Sequence, residues 1–195
     1  MKRRGMLGLP LLLAGCGLSE RPYEERRQWP LVVPRPGSLP AKPGGAVLEV
    51  RTLREGPGMA VRGLQTLQAD GSLKIGFYEE WTVPPAQGVE DALRGWLAGC
   101  GKFGAVTAPG SRVKPDYLLE GELTALLSVP GEGIARAAMS VVVLDARGDT
   151  SHVVFQRRVT GEAKLAGPGP EAAVKAQLAA LLLAFAEVEG ALPGA

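Results

Sequence analysis

The sequence has few of the side chains on which enzymes and metal proteins depend. Two cysteines and one histidine occur among 195 residues, too few cysteines for a disulfide scaffold. The histidine, His152, has no neighbouring His, Cys or carboxylate spacing that predicts metal ligands or a catalytic triad. A G-x-x-x-x-G-K-[ST] motif is also missing, which excludes a P-loop ATPase. We therefore expect no catalytic residue, no metal and no bound cofactor.

A basic excess is also missing from most of the chain. The formal charge is +2, but Lys2, Arg3 and Arg4 fall in residues 1–15, which contain no acidic residue. Beyond residue 15, 19 basic residues face 20 acidic ones, so the remaining net charge is near −1. Nothing here predicts a nucleic-acid partner. The 46% hydrophobic content indicates one globular domain that buries a real core.

The chain starts with a hydrophobic run that is too short to span a bilayer. Three basic residues, the apolar stretch 5–13 and the small residues Ala14 and Gly15 form a secretory signal. Cys16 follows at once, and Leu-Ala-Gly-Cys resembles a bacterial lipobox. In such signals the chain is cleaved between the residues that here are Gly15 and Cys16. The cysteine thiol receives a diacylglyceryl group before this cleavage, and the new N-terminal amine then receives an N-acyl group. The alternative is an ordinary signal peptide with a chance cysteine.

The prediction for the whole chain is a signal peptide at 1–15, a lipid-anchored tether at 16–27 and a domain at 28–195. Six prolines between positions 17 and 46 favour an extended stretch near the anchor. Gly17 follows the cysteine, where Asp would resemble an inner-membrane retention signal. Its absence predicts the periplasmic face of the outer membrane.

Alternating apolar residues predict the strands of one sheet. The predicted strands are 29–33 at an edge, 47–53, 64–69, 73–78, 117–127, 137–144 and 152–159, with a short one at 105–107. Asp70-Gly71 between two alternating runs predicts a hairpin with a type I′ turn. The second arm then places Leu73, Ile75 and Phe77 on one face and Lys74 on the other.

Two helices complete the predicted fold. Pro84 and Pro85 open the first, which Gly99 ends, with Glu90 among the residues facing away from its apolar side. Residues 171–192 form the second, with an apolar stripe. The stripe contains Val174, Leu178, Leu181, Leu182, Phe185 and Val188. The predicted class is α+β: a mixed, largely antiparallel sheet of about six to seven strands with both helices packed on one face.

Several motifs are interpreted as structural. The G-x-G-x-x-G at 99–104 follows a helix, whereas a dinucleotide site must follow a strand. Cys100 is expected to be a structural thiol. Glu79 and Glu80 are adjacent and point to opposite faces of a strand, and Glu120 with Glu122 favours a solvated strand face.

Four aromatic residues bracket the first predicted helix and are candidate contacts for a partner or an acyl chain. They are Tyr78, Trp81, Trp96 and Phe103. Core packing is the alternative interpretation, and it is the favoured one.

A set of spaced motifs resembles the ABC-type transport auxiliary lipoprotein family. The resemblance starts at the lipobox and runs to the last predicted helix, so it covers nearly the whole chain. They are Trp29-Pro30-Leu31, Tyr78 and Trp81 before Pro84-Pro85, Leu93 and Leu97 with Phe103 and Val106, Asp116-Tyr117-Leu118-Leu119, and Leu144-Asp145 before Arg157. The family includes the lipoprotein partner of paraquat-inducible, Mce-domain transport systems.

This resemblance implies a periplasmic α+β domain that has no catalytic activity. Its partners would be an Mce-domain protein and an ABC permease and ATPase that move lipids or other hydrophobic compounds. Two alternatives remain open at this stage. One is an assembly or activator lipoprotein for secretion or cell-wall machinery. The other is a protein that holds lipid itself, in a pocket beside Trp81.

Overall fold

A computed structural model describes residues 24–193, so Cys16 and the signal lie outside the described residues. The elements in chain order are β1 (Arg27–Trp29), β2 (Val47–Val50), β3 (Arg54–Glu55), β4 (Gly63–Leu67), β5 (Leu73–Trp81), α1 (Pro85–Ala98), β6 (Ala105–Thr107), β7 (Tyr117–Val129), β8 (Ile134–Asp145), β9 (His152–Lys164) and α2 (Pro170–Ala191).

The sheet is built around β7. On one side β8 pairs antiparallel with β7 along its full length, and β9 pairs antiparallel with β8. On the other side β2, β3 and β4 follow one another along β7, all parallel to it. Beyond them β6 pairs with β2, while β5 pairs antiparallel with β4 and carries the short β1 at its far end.

The α+β class with a mixed sheet is confirmed, and nine strands are present in the described residues. The count exceeds six to seven because the strand beside β7 is divided into short pieces. Gly56-Pro57-Gly58 separates β3 from β4, since proline offers no N–H to a ladder and Gly58 has a φ of +80°.

Both helices lie on one face of the sheet, as predicted. The Trp96 ring of α1 and the Phe185 ring of α2 meet edge to face, 5.9 Å apart. Helix α2 lies so close to β9 that a Cβ on Gly161 would be 1.9 Å from the Ala180 carbonyl oxygen. Buried side chains between these helices and β7–β9 form the main core.

The hairpin β4–β5 is confirmed, but its predicted type I′ turn is wrong. Only Gly71, with a φ of +84°, has a positive φ, whereas a type I′ turn needs two such residues. Asp70 instead accepts hydrogen bonds from the Ser72 backbone N–H (2.9 Å) and hydroxyl (2.7 Å). The Asp side chain therefore stabilises a turn in which one left-handed glycine is enough.

Two predictions at the N-terminal side are corrected. The strand predicted at 29–33 ends at Trp29, because Pro30 cannot donate to a ladder. Glu90 does not face solvent: it is 8% exposed and its Oε2 accepts from the backbone N–H of Leu53 at 3.1 Å. This bond satisfies a backbone donor in the connection between β2 and β3.

Of the stripe predicted for α2, Val174, Leu181, Phe185 and Val188 are buried, but the buried face also includes residues outside the stripe. Gln177 is 0% exposed and donates from Nε2 to the Ser128 hydroxyl at 3.1 Å. Leu178 and Leu182 are only partly buried. Ala180 and Ala184 are buried too, and their backbone lies closest to Gly161 of β9.

Candidate functional site

The face of the sheet opposite the helices carries a groove of about 610 Å³. Its charged lining comes from β2, β3, β7 and the residue that follows β2: Glu49, Arg51, Arg54, Glu120 and Glu122. They share one face because the pairing register sets Glu49 beside Leu118 and Arg54 beside Glu122. We call this the open-face groove.

The charges of the open-face groove are paired within the groove. Arg51 contacts Glu49 at 3.3 Å and Glu120 at 2.7 Å, and Arg54 contacts Glu122 at 3.3 Å. Both arginines are about half or more exposed, so these pairs add little to stability. They can open and re-form with charges of another chain, which makes the groove suited to a polar protein surface.

A second cluster joins the two helices to the N-terminal segment. The Glu189 carboxylate of α2 accepts from Arg35 at 2.8 Å and from the Trp96 indole N–H at 2.6 Å. Lys102 donates to the carbonyl oxygens of Glu189 (2.6 Å) and Leu192 (3.0 Å), so it caps the end of α2. The bond to Glu189 raises the pKa of Arg35. We call these residues the Glu189 cluster.

The four predicted aromatic contacts are not brought together. Trp81, Trp96 and Phe103 are 1%, 4% and 3% exposed and belong to the core. Phe103 packs against the Tyr117 ring at 6.4 Å, and Trp96 borders a cavity of about 370 Å³ beside the Glu189 cluster. Tyr78 lies on β5 at the sheet edge, 38% exposed. The separation follows from the topology, because β5 is buried in the core only at its last residue, Trp81, and Tyr78 lies on the more exposed part of the strand.

A cavity of about 410 Å³ lies between the hairpin and the start of α2. Its lining includes Leu64, Thr66 and Lys74 from the hairpin, with Leu165 and Pro170 opposite. The lipid-holding hypothesis places its pocket beside Trp81, but Trp81 does not border this cavity.

Strand β5 carries an exposed apolar patch that the sequence pattern did not identify. Leu73, Ile75, Phe77 and Tyr78 are 43%, 48%, 65% and 38% exposed. Beyond β4, the only strand paired with β5 in residues 24–193 is β1, and it contacts only the end from Glu79 to Trp81. We call these four residues the β5 patch. Alternation predicted that three of them share a face, but it does not show whether anything covers that face.

The residues interpreted as structural hold structural positions. Cys100 is a free thiol, 4% exposed. His152 is exposed at the start of β9. Glu79 accepts from the Trp29 indole N–H at 2.6 Å, and Glu80 accepts from Gln28 at 2.8 Å, so each carboxylate helps to hold β1. Within residues 24–193, no three His, Cys, Asp or Glu side chains are grouped as metal ligands.

The Asp116-Tyr117 motif has a local structural role. Asp116 exchanges hydrogen bonds with Val47: its Oδ2 accepts from the Val47 N–H at 2.8 Å, and its own N–H donates to the Val47 oxygen at 2.9 Å. Arg147 lies over the Tyr117 ring at 5.0 Å. The same guanidinium lowers the pKa of Asp145 to about 2 by hydrogen bonding. The motif thereby fixes where β2 joins the central strand.

None of the helices within residues 24–193 has the length and apolar character needed to pass through a bilayer.

The domain is a sheet with helices on one face. Its candidate sites are two surfaces suited to contacts with other molecules, the open-face groove and the β5 patch. The chain belongs to the ABC-type transport auxiliary lipoprotein component family, whose family model matches residues 31–188. The resemblance in the motifs is thus confirmed. Membership makes the protein a membrane-anchored envelope lipoprotein associated with an ABC-type transport system.

Solved structures share the fold. A Xanthomonas campestris protein of the DUF330 family has a TM-score of 0.67 at 18% identity, covering 86% of this chain and 91% of its own. A hypothetical protein from Chlamydia trachomatis has a TM-score of 0.51 at 9% identity, covering 75% and 96%. At these identities the likeness concerns the fold alone. No protein of curated function matches the chain.

Proposed function

We propose that this protein is a non-catalytic outer-membrane lipoprotein that assists an ABC/Mce-type system in moving lipids or other hydrophobic compounds across the envelope. The observation that carries the proposal is the family match over residues 31–188. The lipobox ending at Cys16 and the Gly17 that follows support the anchor and the membrane. Cleavage would remove 1–15, leave 16–27 as the tether and 28–195 as the domain.

The acyl anchor, the domain and the partner proteins have different roles in this proposal. Acyl chains on Cys16 hold the domain at the periplasmic face of the outer membrane, since two or more chains give a stable anchor. The open-face groove offers exchangeable ion pairs to a protein partner. The Mce-domain protein, the permease and the ATPase are separate chains, and the ATPase supplies the energy for transport.

Affinity capture of the acylated, tagged protein from detergent extracts tests the partner. We expect an Mce-domain protein with its permease and ATPase among the proteins that mass spectrometry identifies. A double variant of the groove, Arg51→Glu with Arg54→Glu, should recover less of the Mce-domain protein, because it places carboxylates beside Glu120 and Glu122. Lys164→Glu with Lys175→Glu, a double charge reversal at two exposed lysines outside the groove, is the matched control.

Other outcomes would redirect the proposal. Recovery of a secretion or cell-wall complex would overturn the transport role in favour of an assembly or activator lipoprotein. Native mass spectrometry that finds a lipid bound by non-covalent contacts would add a carrier role to this chain.

A further inference from the structure

The β5 patch is the largest group of exposed apolar side chains on one strand of the described residues. Two of its members are aromatic, and their rings pack edge to face at 4.9 Å. Arg26 lies over the Phe77 ring at 4.6 Å. Aromatic rings with an adjacent arginine are typical of groups that lie at a membrane–water interface.

The path of the chain places this patch next to the anchor. Arg26 precedes β1, the strand that pairs with the end of β5. Arg26 lies ten positions after Cys16, a contour of at most about 36 Å. The opposite sheet edge, β9, is four strands from β5 and thus about 19 Å farther away.

We propose that the β5 patch rests on the lipid surface as a second, non-covalent contact that orients the anchored domain. The proposal rests on the proposed function only through acylation of Cys16. An anchored domain presents its nearest surface to the bilayer at high effective concentration, so a small apolar area is sufficient.

The edge of β5 that faces away from β4 has no paired strand from Leu73 to Tyr78 within residues 24–193, so one competing occupant is a strand of another protein. We infer the membrane instead, because the acylated Cys16 lies only ten positions before Arg26, which contacts Phe77 of the patch.

Site-specific fluorescence on the acylated protein in phosphatidylethanolamine–phosphatidylglycerol vesicles tests the proposal. Ile75→Cys and the control Val153→Cys carry the same bimane label, since their side chains are 48% and 60% exposed. Cys100 is buried and Cys16 is acylated, so the introduced thiol is the reactive one. We expect lipid-borne headgroup nitroxides to quench the label at 75 at least twofold more than the label at 153.

A second variant confirms that the patch produces the effect. Phe77→Ser in the Ile75→Cys background should reduce lipid quenching towards the level at position 153, while Leu183→Ser, at an exposed leucine of α2, should not.

Three outcomes would overturn the proposal. One is equal lipid quenching at 75 and 153. Another is protection of position 75 from aqueous iodide without lipid quenching, which would show a protein in the patch. The last is unchanged quenching in Phe77→Ser. Flotation of the same samples with the vesicles reports on the acyl anchor independently, so failure of the anchor and failure of the patch are distinguishable.

Discussion

At the scale of single residues, Glu189 has the most consequential contacts. Its side chain is 19% exposed and accepts from Arg35 and Trp96, which connect α2 to the N-terminal segment and to α1. Glu189→Gln keeps the shape but removes the charge. We expect a loss of about 1–3 kcal/mol in the free energy of unfolding, measured in urea.

Another carboxylate of α2 provides the control for this prediction. Glu171 also pairs with an arginine, Arg27 at 3.1 Å, but its side chain is 65% exposed. Glu171→Gln should therefore change the free energy of unfolding by less than about 1 kcal/mol. Equal losses for the two variants would contradict the role assigned to the Glu189 cluster.

The ionisation of Asp145 predicts how the stability of the folded state depends on pH. Hydrogen bonds from the Arg147 side chain and backbone lower the pKa of Asp145 to about 2. A lowered pKa means that the ionised form favours the folded state. This contribution is complete above the ordinary carboxyl pKa of about 3.9 and is lost as the pH falls towards 2.

Arg147→Ala should raise the pKa of Asp145 towards its ordinary value, as followed by carboxyl NMR titration. Asp70 is the internal reference, because Ser72 lowers its pKa and Arg147 takes no part. If the Asp145 titration stays near pH 2 in the variant, the guanidinium is not the cause.

At the scale of elements, the tightest contact is that between α2 and β9. A Cβ on Gly161 would lie 1.9 Å from the Ala180 oxygen and 2.8 Å from the Ala184 nitrogen, both of them backbone atoms that cannot rotate away. We expect Gly161→Ala to lower the free energy of unfolding by about 1–3 kcal/mol or more, because the helix must shift.

The matched change is Gly95→Ala in α1. Nothing lies within 4 Å of a Cβ there, and the position is exposed. Alanine should raise the free energy of unfolding by about 0.5–1 kcal/mol, since glycine costs that much within a helix. Urea unfolding of both variants measures the contrast; destabilisation by both would point to an effect unrelated to the packing of α2.

The elements also show what the sequence could predict. Period-two and period-3.6 patterns predicted α1, α2 and the long strands, because each buries one continuous apolar face. The two-residue β3 carries no such pattern, and its place depends on Glu122 and Leu123 in β7, nearly 70 residues later. Gln177 likewise gives no apolar signal, since its burial is made possible by Ser128 on a strand.

The candidate surfaces were less predictable than the core, for the same reason. Glu120 and Glu122 were expected on a solvated strand face, and the register explains their pairing with Arg51 and Arg54. The β5 patch is left uncovered because β1, which runs parallel to β5, begins only opposite Glu79. Three of the four aromatic candidates are buried in the core, because large rings bury much apolar area where the sheet packs against its helices.

At the scale of the whole molecule, the anchor and the domain make separable contributions to location. In the proposed function, Cys16 and Gly17 set where the protein resides, whereas the domain sets what it contacts. Cys16→Ser should remove the protein from the outer-membrane fraction of a sucrose gradient, because no acyl chain is added. Cys100→Ser, at the buried thiol, should leave the protein in that fraction.

Gly17→Asp provides the sharper test of the target membrane, since it leaves acylation intact. The aspartate following the acylated cysteine should move the protein from the outer to the inner membrane while its mass still includes the lipid. If the transport role requires a bridge between two membranes, this variant should fail to complement a deletion even though it is anchored and folded. Complementation by the inner-membrane form would instead mean that anchoring alone suffices and that the outer-membrane position is dispensable.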